Sequence, residues 1–157
     1  MNYSNYLPVW TLLKKEIQRF FKVGIQTIVG PAVSSLLFLA VFTLALGRSV
    51  QTINDISFTK FIAPGLIMMT ILQNSFANSA SSIGQAKSQG NIIDVLMSPL
   101  SEIELVIGYV GGSVVRGLTC GITTTAFIFL FVPMTIHSVP ALVFYSFMGG
   151  LMMGTLG

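Results

Sequence analysis

Read as hydrophobic and polar positions, the chain alternates long uncharged runs with short polar stretches. Three runs dominate: 23–47, 61–86 and 117–157. The last is interrupted by the proline-bracketed segment 132–140 and is extended backwards by 105–115. A helix rises about 1.5 Å per residue and crosses the hydrocarbon layer in about 20 apolar residues. The pattern therefore predicts four crossings, at about 23–47, 61–86, 105–131 and 141–157. Ahead of the first, 9–22 is two-sided. At about 100° per residue, Val9, Trp10, Leu13, Ile17, Phe20 and Phe21 gather on one side, with Thr11, Lys14, Lys15, Gln18, Arg19 and Lys22 opposite. Aromatics on one face and lysines on the other predict a helix lying in the headgroup plane.

A second short two-sided stretch, QGNIIDVLMSPLS at 89–101, separates the second and third crossings. Ile92, Ile93, Leu96, Met97 and Leu100 fall within an arc of about 140°, with Asn91, Asp94 and Ser98 opposite. Asn91 is placed to cap the helix, Asp94 sits near its positive end, and Pro99 stops it after about two turns.

Composition fixes the class. Hydrophobic residues make up 53%, charged residues 8%, and mean hydropathy is +0.82. Soluble domains carry about a quarter charged residues, so a water-facing surface cannot be built from this chain. The fold class is all-α, a polytopic helical membrane protein. The run 23–47 is too long for the 7–15 residues typical of a signal-peptide core. The net charge of +3 resides largely in Lys14, Lys15, Arg19 and Lys22, immediately before the first crossing. Basic residues there keep a flank cytoplasmic and touch anionic lipid; a nucleic-acid role is not expected. The topology is then N-terminus inside, 48–60 outside, 87–104 inside and 133–140 outside. The last run is still apolar at Gly157, as expected if the chain ends at the inner face or is the front of a longer protein.

Candidate chemistry is sparse. No phosphate-cradling G-x-x-x-x-G-K-[ST] motif occurs, the one histidine, His137, falls in an external turn, and the acids Glu16, Asp55, Asp94, Glu102 and Glu104 are scattered. No catalytic or metal site and no cofactor of the chain's own are expected. The lone Cys120 lies inside a crossing. Polar groups do enter the membrane. Gln73, Asn74, Ser75, Asn78, Ser79, Ser81 and Ser82 fill the inner half of the second crossing, where they must face other helices or a water-filled path. Arg116 lies about 16 Å into the third crossing, out of reach of Glu102 and Glu104, and needs a partner from elsewhere. Gln73, Asn74, Asn78 and Arg116 are therefore candidates for a transport path or for packing. Glycines four apart (Gly108 and Gly112, Gly117 and Gly121, Gly150 and Gly154) would let helix backbones approach closely.

At 61–69 (FIAPGLIMM) and 89–109 (QGNIIDVLMSPLSEIELVIGY) the chain resembles the ABC-2 type permeases of bacterial inner membranes. The family pattern is an aromatic-x-x-Pro-Gly opening to the second crossing, then a short cytoplasmic helix ending in Ser-Pro. Here those positions are Phe61, Pro64, Gly65, Asp94, Leu96, Ser98 and Pro99. Where the family commonly has Glu-Arg before that helix and Thr-x-Glu within it, this chain has Lys87-Ser88-Gln89 and Asp94. The resemblance implies a six-crossing fold of which about four are present. It implies a homodimer or a pair with a second permease subunit, and separate ABC ATPase subunits that bind ATP and Mg. It also implies a coupling helix at about 91–98 that docks on the ATPase through Asn91, Ile92, Asp94, Leu96, Met97, Ser98 and Pro99. The expected function is the membrane subunit of an exporter. An assembly or anchoring subunit that transports nothing is the alternative.

Overall fold

A computed structural model describes residues 6–22, 24–46, 52–53, 56–93, 97, 100–132 and 138–157. Helix α1 (Tyr6–Lys22) is followed by a π-helical turn (Ile25–Val29) and by α2 (Gly30–Leu46). A short antiparallel pair, β1 (Thr52–Ile53) and β2 (Ile56–Ser57), sets Thr52 opposite Ser57. Three longer helices complete the chain: α3 (Phe58–Ser88), α4 (Glu102–Phe131) and α5 (Val139–Leu156). The architecture is an all-α bundle in which α3 and α4 form the central pair, with α1, α2 and α5 packed around them. His137 and Asp55 lie outside the described residues.

Among the described residues, three helical segments can cross a membrane by length and composition: Gln26–Ala45, Glu102–Phe131 and Val139–Leu156. The second expected crossing, 61–86, lies within α3, whose 31 residues give it ample length. Its inner half is inside-out. Thr70, Asn74, Ser75, Asn78, Ser79 and Ser82 are buried, while Phe61, Met69, Phe76 and Ile83 face outward. That arrangement suits hydrocarbon, where polar groups need protein partners and apolar ones do not.

Local chemistry sets the breaks. Pro31 has no N–H, so the Thr27 carbonyl cannot receive its ordinary i+4 donor. The chain passes this point as a π turn, and the Cys120 thiol of α4 donates to the Thr27 carbonyl at 3.4 Å. Helix α3 ends where Gly90 takes φ +73°, a left-handed conformation natural to glycine. Helix α4 opens with a reciprocal cap: the Ser101 N–H donates to Glu104 Oε2 at 2.8 Å, and the Glu104 N–H donates back to Ser101 Oγ. That S-x-x-E signature explains Ser101 and Glu104.

The spaced glycines lie at helix contacts. Gly108 and Gly112 face α1, Gly117 and Gly121 face Ser75 and Ile71 of α3, and Gly150 and Gly154 face Val114 and Ser113 of α4. A Cβ at Gly112 would stand 2.8 Å from Glu16 Cβ, so glycine there is what admits α1. That close approach decides which face of α1 meets the bundle. Its buried stripe contains Glu16 and Phe20, with Val9, Leu12 and Leu13 partly covered, while Trp10 and Phe21 point outward. On an ideal helix this stripe is turned by roughly 60° from the apolar one.

Candidate functional site

Two polar sites are built inside the bundle, and they divide the four residues that the sequence groups together. The first lies between α2 and α3. Pro31, Ser34, Ser35 and Phe38 face Leu66, Met69, Thr70, Gln73, Asn74 and Ala77 across a groove of about 330 Å³. Helical spacing explains the lining: 31, 34, 35 and 38 recur on one face of α2, and 66, 69, 70, 73, 74 and 77 on one face of α3. At its base Ser35 Oγ and Thr70 Oγ1 are 2.7 Å apart, with Thr70 also donating to the Leu66 carbonyl at 2.9 Å. Asn74 is buried and donates to the Thr70 carbonyl at 2.9 Å, whereas Gln73 is exposed. Both walls therefore mix apolar and polar groups, with hydroxyls on α2 and a hydroxyl and two amides on α3, between helices where lipid supplies neither donors nor acceptors.

The second site is a polar seam where α1, α3 and α4 meet. Each helix contributes two positions one turn apart. Glu16, Ser82 and Gly112 form one layer; Phe20, Asn78 and Arg116 form the next. In the first layer Ser82 Oγ donates to Glu16 Oε2 at 2.6 Å, and Arg19 Nη2 donates to Ser82 Oγ. Arg19 Nη2 also lies 3.2 Å from Glu16 Oε2. Glu16 is only 4% exposed. In the second layer Arg116 Nη1 donates to Asn78 Oδ1 at 3.4 Å, and its guanidinium carbon lies 5.8 Å from the Phe20 ring centre. Asn78 is 1% exposed. The Arg116 Nε is buried without a hydrogen-bond partner. The partner that Arg116 needs thus comes in part from another helix, as an amide and an aromatic face.

Sequence reasoning treated Glu16 as one of several scattered acids. The available signal was its helical spacing: Glu16 lies one turn from Leu12 and one turn from Phe20, on a stripe that only a glycine-rich neighbour can accept.

The segment 89–101 is described in part. Ile92 and Ile93 are helical, and Met97 N–H donates to the Ile93 carbonyl at 2.8 Å, which closes one helical turn. Ile93 and Met97, four residues apart, are exposed, while Ile92 turns toward a cavity of about 330 Å³ under α3, α4 and α5. Asn91 is exposed. Asp94, Leu96, Ser98 and Pro99 lie outside the described residues.

Membrane-length helices, an inside-out central helix and a polar groove between crossings define the class: a polytopic helical membrane protein. Residues 8–157 match the ABC-2 type transporter family, and the chain belongs to that family. It is 41% identical over 133 residues to the inner membrane transport permease YadH of Escherichia coli K12, across 82% of this chain and 52% of that protein. The YadH proteins of Escherichia coli O157:H7 and Shigella flexneri match to the same extent. The chain spans about half the length of the curated relatives it matches. No solved structure matches it.

Proposed function

We propose that the chain is the membrane-spanning part of an ABC-2 exporter of a bacterial inner membrane, moving its substrate outward on the ATP hydrolysis of separate ATPase subunits. Membership of the transporter family supports the class, and the α2–α3 groove is the observation that carries the reading. A groove with hydroxyls on both walls and amides on one has no use against lipid alone. It suits a path completed by a homodimer partner or a second permease subunit. In this reading 91–98 is the coupling helix, and its exposed Ile93 and Met97 ridge is the apolar edge that meets the ATPase, where ATP and Mg are held. The basic face of α1 meets anionic lipid on the cytoplasmic side.

Single cysteines in a Cys120→Ala background test the groove. Ser34→Cys and Gln73→Cys should react with a small hydrophilic thiol reagent many times faster than Val33→Cys, which is exposed on another face of α2. Equal, slow reaction at all three would remove the groove as a water-lined path.

A further inference from the structure

The polar seam carries three charges and one of them is unbalanced. Glu16 supplies one carboxylate; Arg19 and Arg116 supply two guanidinium groups. Among the described residues Glu16 and Arg19 form the one ion pair. Arg116, one helical turn deeper on α4 than Gly112, has an amide, an aromatic face, the Cys120 thiol one turn further on and a buried Nε without a hydrogen-bond partner. Glu16 approaches α4 at Gly112 itself, where the Asn78 amide nitrogen also lies within 3.8 Å of the would-be Cβ. The carboxylate therefore stands one layer below the unbalanced guanidinium, with Asn78 and Ser82, themselves one turn apart on α3, spanning the two layers.

We propose that Glu16 is the positioning residue of the permease: its buried carboxylate is the shared counter-charge of Arg19 and Arg116, and it locks α1 onto α3 and α4. Those two helices flank the segment 89–101, so the lock makes the amphipathic helix and the coupling segment one mechanical body. The mechanical half of the proposal rests on the exporter reading above; the electrostatic half does not. The charge count dictates a distinctive order among variants. Glu16→Gln leaves two guanidinium groups with no anion and should be the most damaging. Arg116→Gln leaves the neutral Glu16–Arg19 pair and should be mild. Combining the two removes the unbalanced deep charge, so Arg116→Gln should rescue Glu16→Gln.

Trp10, the single tryptophan of these 157 residues, lies on α1 and reads the position of that helix. With the purified permease in lipid vesicles containing phosphatidylglycerol, acrylamide quenching of Trp10 should rise at least twofold in Glu16→Gln. It should stay near the parent value in Arg116→Gln and return most of the way in the double variant. If Glu16→Gln does not accumulate in the membrane, accumulation becomes the readout: recovery in the double variant supports the proposal and no recovery overturns it. Quenching of Glu16→Gln equal to the parent, or a double variant no better than Glu16→Gln, would also overturn it. Hydrolysis by the co-purified ATPase supplies the second arm. Glu16→Gln should retain ATPase binding but lose most of the ATP hydrolysis that the parent complex shows in the same vesicles; parent-level hydrolysis with a loosened α1 would overturn the mechanical role. Failure of the parent protein itself to bind an ATPase would count against the exporter reading and leave the quenching order intact.

Discussion

Gly112 and Gly30 differ only in what surrounds them, and that difference fixes opposite outcomes for the same kind of change. A Cβ at Gly112 would stand 2.8 Å from Glu16 Cβ, whereas one at Gly30 would meet nothing within 4 Å. Gly112→Leu must push α1 away from α4, at a cost of at least 1–3 kcal/mol by analogy with overpacked cores, roughly, and with the seam's hydrogen bonds strained as well. Gly30→Ala removes backbone freedom from a helical position and should be neutral or stabilising by up to about 1 kcal/mol. Unfolding titrated with SDS in mixed micelles measures both; a Gly112→Leu midpoint equal to the parent would mean that α1 does not sit against α4. The Ser35–Thr70 contact at 2.7 Å is a smaller matter. Interhelical hydrogen bonds in membranes average about 0.6 kcal/mol, so Ser35→Ala should shift the same midpoint only slightly.

At the scale of elements, orientation is the open quantity. The basic cluster before α2 predicts that Ser57 and Ser138 lie outside and Ser88 inside; all three are exposed. In a Cys120→Ala background an impermeant maleimide added to spheroplasts should label Ser57→Cys and Ser138→Cys and spare Ser88→Cys. Labelling only at Ser88→Cys would invert the topology. Much of each element was legible because hydrocarbon enforces long apolar runs: 105–131 anticipates α4 and 141–157 anticipates α5 closely. What periodicity could not supply was rotation. The moment of α1 reports where Trp10, Ile17 and Phe21 lie, yet the contact is decided by the glycines of α4, which accept Glu16 and leave Trp10 outside. Likewise Asn74 and Asn78 share one polar stripe, and only the placement of α2 and α1 assigns one to the groove and the other to the seam. The π turn is readable afterwards from Pro31, since a proline four residues beyond a carbonyl removes that carbonyl's helical donor.

For the whole molecule, the groove and the seam share helix α3, and the segment 89–101 follows directly on its end. Helix α3 carries Thr70, Gln73 and Asn74 toward the groove, then Asn78 and Ser82 toward the seam, and ends at Ser88 beside the coupling segment. The two polar sites therefore lie along one helix that leads into the segment 89–101. If 91–98 couples to an ATPase as proposed, its contribution is contact and not stability. On the helix that the sequence pattern predicts at 91–98, Asp94→Arg should cost below about 1 kcal/mol, and Leu96→Asp should place a charge on the apolar side. Co-purification of the ATPase with the intact protein, at matched membrane levels, decides whether 91–98 serves that contact. Both variants should reach the membrane normally, with ATPase recovery falling several-fold and further for Leu96→Asp than for Asp94→Arg; full recovery of the ATPase with both variants would contradict the coupling role.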